Sequence, residues 1–318
     1  MRCSRWKLHT TGGGSIGPLD QAPDAVKGYL ASLKMNAPNF VSVVITTYNR
    51  SDALLAVLEG LSRQTDCNFE VIVADDGSTP EQQRIVAQSV VARQLCVIHV
   101  WHPDVGFTAS RIRNRGVAAA SGPYIVFLDG DCVPEVDFIA RHKALAQAGC
   151  MVNGSRVLLS PQLTDEVIRR GDVIVGRSSL YWIFARLTGR ASKLTGLLRL
   201  PDGGFRIRRK FTWKGIRSCN MGVWLSDFKS VDGFDESFVG WGHEDADFVL
   251  RLHNHGVLRK NGFCATEVYH LWHPEASRGQ ESLNAQTVKA RALTSITQPL
   301  LGYAQDRPND DVVITRLR

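Results

Sequence analysis

Between residues 41 and 131, short apolar runs alternate with stretches in which apolar positions recur every three or four residues. Val41-Ser42-Val43-Val44-Ile45-Thr46 is β-branched and nearly unbroken, the pattern of a buried strand. Ser51 or Asp52 is placed to N-cap a helix that carries Leu54, Leu55, Leu58 and Leu61 on one helical period. Residues 69–74 read as a second strand, and Pro80 opens a helix to about Ala92 with Ser78 or Thr79 as its cap. A strand over 95–100, a helix over 108–120 and a strand over 124–128 complete the series. Strands and helices in turn predict right-handed βαβ units, hence an α/β chain with a mainly parallel central sheet flanked by helices.

Ligands of such sheets bind beyond the carboxyl ends of the strands. Three polar clusters fall there: Thr46-Thr47-Tyr48-Asn49-Arg50, Asp75-Asp76-Gly77-Ser78 and Asp129-Gly130-Asp131. From about Met151 the rhythm is lost. A basic segment follows, then an acidic, Gly- and aromatic-rich stretch over 232–247, then His270-Leu271-Trp272-His273-Pro274. After Gln280 the pattern predicts one helix and a polar, mobile end.

Composition narrows the classes. Of 318 residues, 44% are hydrophobic and 22% charged, with ordinary counts of 12 Pro and 28 Gly, which excludes a disordered chain. The longest uncharged stretch, 35–49, has 15 residues, fewer than the roughly 18 a membrane span needs. No apolar segment follows Met1-Arg2-Cys3-Ser4-Arg5-Trp6, so no leader is expected. The 7 cysteines include no CxxC pair, which fits reduced thiols in a cytoplasmic protein rather than a disulfide framework or zinc knuckle. Residues 186–217 hold ten Lys or Arg against the single acid Asp202, more than the whole chain's excess of +7. A basic surface is therefore expected locally.

The motifs carry the chemistry. Asp129 and Asp131 after a buried strand offer hard oxygens to a divalent cation that keeps positions open for phosphates. Asp75 or Asp76 is placed to accept a hydrogen bond from a base N–H or a ribose hydroxyl, and the alternative is a plain helix-capping turn. Neither GxGxxG nor GxxxxGK[ST] occurs, which removes the main support for dinucleotide binding and P-loop hydrolysis. Glycines on both sides of Trp241 allow a flat ligand close, and the indole suits the apolar face of a sugar. Glu244-Asp245 beside it supplies a general base at the start of a helix. His270 and His273 add imidazoles that suit a transition metal beside carboxylate.

TTYNR after the first strand and ADDGS after the second resemble the nucleotide-sugar-binding start of family 2 glycosyltransferases of the GT-A fold. Arg113-Asn114 and Leu128-Asp129-Gly130-Asp131 continue the pattern in order. The run from Asn220-Met221-Gly222 through Gly240-Trp241-Gly242-His243-Glu244-Asp245 to His273 is similar to the C-terminal half of β-1,4-galactosyltransferases and chondroitin-polymerase-like enzymes. That pattern has Gly where this chain has His243, and Met where it has His270. Residues 1–38, with a Gly-rich patch and no firm periodicity, read as an extension and 276–318 as a C-terminal helix and tail, while the resemblance implies a GT-A domain over 39–275. Within the domain, 39–135 would be the nucleotide-sugar half, and 136–275 the acceptor half with a basic insertion over about 160–217.

By position, the resemblance implies that Thr46, Tyr48, Arg50 and Asp75, with Asp76 beside it, hold the uridine and that Arg113 lies near the nucleotide. Asp129, Gly130 and Asp131 form the DxD, with Asp131 the direct metal ligand; His273, with His270 as a second candidate, completes the shell. Trp241 packs on the sugars, Glu244 binds donor or acceptor hydroxyls, and Asp245 is the base. Such a donor set favours Mn²⁺, with Mg²⁺ a weaker substitute.

The expected activity is inverting transfer of a sugar (Gal, GalNAc, GlcNAc or Glc) from a UDP-sugar to a hydroxyl of a glycan or lipid-linked acceptor, in bacterial surface polysaccharide synthesis. Two other classes compete. A sugar nucleotidyltransferase would want a Gly-rich, basic loop after the first strand, which is absent here. A nucleic-acid-binding protein would use residues 186–217, where Phe205, Phe211 and Trp213 make a thin stacking platform, so no nucleic acid is expected. The apolar run Leu180-Tyr181-Trp182-Ile183-Phe184 before the basic segment predicts salt-sensitive peripheral contact with anionic membrane through 180–217, on the inner face of the cell membrane.

Overall fold

The computed structural model describes residues 37–89, 94–274, 281–304 and 311–317. Strand β1 (Val41–Thr47) is buried along almost its whole length, as its unbroken β-branched run requires. It is flanked by β2 (Phe69–Asp75) and β4 (Tyr124–Asp129), with β3 (Val97–Trp101) beyond β2, all four parallel. Helices Ser51–Ser62, Pro80–Gln88 and Ala109–Ala118 connect them. Alternate side chains of β1 enter different cores. Val41, Val43 and Ile45 join Leu54, Leu58 and Phe138 on one face, while Val44 joins Ile112, Phe228 and Phe248 on the other. Gly116 lets helix Ala109–Ala118 close on the sheet, since a Cβ there would lie 2.7 Å from Val44 Cγ1.

Beyond these four strands the sheet is mixed. Next to β4 runs antiparallel β9 (Asn220–Trp224), then β6 (Cys150–Asn153), β10 (Leu258–Asn261) and β8 (Ile207–Arg208). On the other edge β12 (Val313–Arg316) pairs antiparallel with β3, giving nine strands among the described residues. A second sheet orders β5 (Cys132–Pro134), β11 (Glu267–His270) and β7 (Ser155–Leu158). It carries the chain away from the end of β4 and brings residues 267–273 back to it.

Several local expectations are corrected. Arg50, not Ser51 or Asp52, is the N-cap of the first helix, and Ser51 instead donates its hydroxyl to Gln82 Oε1 at 2.6 Å. The next helix is capped by Thr79 and ends at Gln88, and its expected continuation over 90–92 lies outside the described residues. The polar end beyond the last helix (Glu281–Arg291) holds an edge strand, because β3 offers an open row of backbone groups to pair with.

The basic segment does not form one surface. Arg190 pairs with Glu166, Arg199 with Asp137, and Lys193 donates to Ser155 Oγ. Arg206 is buried and donates to four backbone carbonyls, those of Leu200, Pro201, Asn261 and Phe263. Arg186, Arg208, Arg209, Lys210, Lys214 and Arg217 remain exposed. Residues 180–184 lie in helix Ser179–Leu187, whose Trp182 and Ala185 are buried while Leu180, Phe184 and Leu187 are 77%, 61% and 80% exposed.

Candidate active site

Strand register sets the site. Thr47 is level with Asp75, and Thr46 with Asp129, so the three polar clusters meet at one sheet edge. Gly130 lies close under β1: its N–H donates to Thr46 O at 2.8 Å, and a Cβ there would come within 3.1 Å of Thr46 O and the Thr47 side chain. Asn49, at φ +48°, ties the first loop to the second, donating its N–H to Ser78 Oγ and accepting from Thr79 N through Oδ1. Tyr48 is 47% exposed, and its hydroxyl donates to Asp104 Oδ2 at 2.8 Å. Arg50 donates to Asp52 Oδ1.

Asp75 and Asp76 are both buried and engaged. Asp75 Oδ1 accepts from Ser78 N at 2.8 Å, and Oδ2 lies 2.9 Å from His99 Nε2. Asp76 accepts from Thr108 N and Oγ1, with His102 Nε2 3.1 Å away. The capping alternative thus holds for Thr79, while Asp75 shapes its own turn and faces β3 through His99.

Arg113 joins the two halves of the chain. Its buried guanidinium donates to Glu244 Oε1 at 3.0 Å, Thr46 Oγ1 at 3.2 Å and Asp129 Oδ1 at 3.4 Å. Burial acts against its charge, but Glu244 and Asp129 outweigh it and hold its pKa above the usual value. Helix Glu244–Asn254 starts at Glu244 and Asp245, so its N-terminal dipole favours both carboxylates. Asp245 Oδ2 accepts from Ser218 N at 3.1 Å. Loss of hydration, with the neighbouring Glu244 charge, pushes the Asp245 carboxyl up to about 7 despite Arg113. A carboxylate poised near neutrality is what a general base requires.

On the other side of Asp129, the ends of β4 and β11 put Asp131 Oδ2 3.1 Å from His273 Nε2 and 3.7 Å from His270 Nε2. Burial would raise Asp131, but the hydrogen bond to His273 and the charge of His270 leave it lowered. His273 is raised by that same bond, and burial lowers His270 to about 4. One carboxylate and two imidazoles converging in this way fit a divalent transition metal, the neutral form of His270 being the ligating one. An open cleft of about 560 Å³ begins at His273 and is lined also by Arg50, Thr164, Arg169 and Trp272.

Trp241 is 37% exposed between Gly240 at φ +79° and Gly242 at φ +107°. His243 follows at φ +70°, a left-handed conformation that a β-carbon disfavours. Sequence reasoning missed His99 and Arg156, and placed Asn49 in the first polar cluster without a role. His99 is legible only once β2 and β3 are paired, and the bridge made by Asn49 only once β1 and β2 are. Arg156, on β7, sends Nη1 to within 3.9 Å of Cys219 Sγ, and the charges of Asp129 and Asp131 act on its half-buried guanidinium. An arginine in a short strand ordinarily reads as a solvated position, so it carried no signal.

Residues 42–215 match the model described as "Glycosyl transferase family 2", and residues 205–274 that described as "N-terminal domain of galactosyltransferase". Validoxylamine A glucosyltransferase of Streptomyces hygroscopicus subsp. jinggangensis is 33% identical over 239 residues, which are 68% of this chain and 52% of that protein. Hyaluronan synthase of Pasteurella multocida is 30% identical over 241 residues, 69% of this chain and 23% of that protein. Chondroitin synthase of Escherichia coli is 28% identical over 235 residues, 68% of this chain and 32% of that protein. The crystal structure of S. aureus TarS shares the fold with a TM-score of 0.53 at 16% identity, over 80% of this chain and 40% of that one. The chain thus spans about half the length of the glucosyltransferases it matches and less of the two synthases.

Proposed function

The chain belongs to glycosyl transferase family 2 and has its GT-A fold, and on that premise we propose that it is an inverting glycosyltransferase using a UDP-sugar and a divalent metal, preferentially Mn²⁺. The sugar is Gal, GalNAc, GlcNAc or Glc, and the acceptor is a hydroxyl of a glycan or lipid-linked saccharide in surface polysaccharide synthesis. The observation that carries this reading is the run of contacts from the Asp131–His270–His273 cluster after β4, through Asp129, Arg113 and Glu244, to the start of the helix that bears Asp245.

In this reading Thr46, Tyr48, Arg50, Asp75 and Asp76 shape the uridine end. Asp131, His270 and His273 hold the metal, which when bound offsets the charge growing on the diphosphate. Trp241 packs against the sugars and Glu244 accepts from a sugar hydroxyl, kept in place by Arg113. Asp245 takes the proton of the acceptor hydroxyl. The oxygen of that acceptor hydroxyl bonds to the anomeric carbon from the side opposite UDP as the bond to the diphosphate oxygen breaks. Asp245→Asn keeps shape and removes the base, so UDP binding measured calorimetrically should persist while turnover falls by roughly 10²–10⁴. An Asp245→Asn variant with full turnover refutes the assignment.

Among the described residues no helix is long and apolar enough to cross a membrane. Peripheral contact is therefore the membrane role proposed, narrowed from residues 180–217 to helix Ser179–Leu187. Its exposed Leu180, Ile183, Phe184 and Leu187 follow a helical period beside exposed Arg177 and Arg186. Flotation with anionic liposomes at low salt, lost at high salt or with neutral vesicles, is the expected result. Equal binding to both vesicle types, or none to either, returns the helix to an ordinary surface element.

A further inference from the structure

One side chain against the metal-ligand cluster has no part in the function above. Antiparallel pairing of β5 with β11 sets Cys132 directly opposite His270, on the same face of the small sheet. Cys132 is fully buried, and its Sγ lies 3.5 Å from Asp131 Oδ1. Donor atoms of Asp131, Cys132 and His270 all lie within 4.8 Å of one another. Ligands about 2.0–2.3 Å from one tetrahedral ion stand roughly 3.3–3.6 Å apart, so this trio needs only small adjustment to share an ion.

We propose that Cys132 supplies a sulfur donor to the centre of Asp131, His270 and His273, making it a site for thiophilic divalent ions such as Zn²⁺, Co²⁺ or Cd²⁺. The inference rests on the reading of that cluster as a metal centre and adds a soft ligand to it. Binding is a ligand exchange without redox change. The thiol proton leaves to solvent as the sulfur–metal bond forms. For one set of N, O and S donors, Zn²⁺ binds more tightly than Mn²⁺. With His273, which already contacts Asp131, drawn in as a fourth donor, a tetrahedral ion would be filled, whereas catalytic sites keep a position open. Zn²⁺ held with Cys132 therefore opposes binding of the donor diphosphate and acts as an inhibitor of the Mn²⁺ form.

Cobalt titration of the full chain tests this, because visible d–d bands report binding to any ligands while a near-ultraviolet charge-transfer band reports sulfur. The unsubstituted chain and the Cys67→Ser/Cys96→Ser variant should show both bands at one Co²⁺ per chain. Cys132→Ser should keep the d–d bands and lose the sulfur band, and Zn²⁺ should inhibit it at least tenfold less strongly. Calorimetric UDP binding in Mn²⁺ by Cys132→Ser confirms that this variant is folded. A sulfur band that survives Cys132→Ser, or d–d bands without a sulfur band in the unsubstituted chain, overturns the assignment of Cys132 alone. Absence of any cobalt band and of Mn²⁺ binding overturns the metal centre itself.

Discussion

Arg113→Met isolates the electrostatic joint of the site. Methionine keeps much of the packing against Phe234, whose ring lies 5.5 Å from the guanidinium carbon, and deletes only the charge and its donors. Glu244 and Asp129 then lose contacts of 3.0 and 3.4 Å with a side chain that is 5% exposed, and Asp245 loses a nearby opposite charge. Removing one partner of a buried pair costs about 3–5 kcal/mol. At about 2 °C per kcal/mol for a unit of this size, the Tm should fall about 6–10 °C at pH 8. The sign of the pH dependence is decisive. Without Arg113 the native-state pKa values of Asp129 and Asp245, already raised, rise further above their unfolded values, so the native state binds more protons and loses stability as pH rises. At pH 5 these carboxyls are largely protonated, and the deficit should shrink to that of the lost hydrogen bonds. Differential scanning calorimetry of both proteins between pH 5 and 8 measures it. A Tm deficit that is constant across this range, or below about 2 °C at pH 8, refutes the account of Arg113 as the cation that holds these acids.

Other outcomes follow from single contacts. His273→Ala removes a direct donor, so calorimetric Mn²⁺ affinity should fall by more than the roughly 10–100-fold that an outer partner contributes, and unchanged affinity would make His273 a structural residue. Gly116→Ala drives a methyl to 2.7 Å from Val44 and should cost about 1–3 kcal/mol in urea unfolding, with an unchanged midpoint counting against the close approach of helix and sheet. His243→Gly relieves a left-handed residue at φ +70° and should gain about 0.5–1 kcal/mol after the greater backbone entropy of glycine, whereas a loss would show that the imidazole packs in the free protein.

The parallel strands β1 to β4, and the polar clusters after β1, β2 and β4, were legible from sequence because they rest on neighbouring residues. β-branched runs, a proline at a helix start and acids directly after an apolar strand act over a few positions, and parallel pairing then brings their ends to one edge. The acids at 244–245 and the histidines at 270 and 273 were legible as chemistry but not as neighbours. Their convergence depends on the small sheet that returns β11 beside β5, and on Arg113 reaching an acid 131 positions away. The mixed outer sheet, the edge strand β12 and the dispersal of the basic segment were likewise decided in three dimensions. Whether an arginine faces water or a ring of carbonyls, as Arg206 does, depends on what long-range pairing packs around it rather than on the charges beside it in the chain. The same holds for Cys132. In sequence it is one thiol after an acid, and only the register of β5 against β11 makes it face an imidazole.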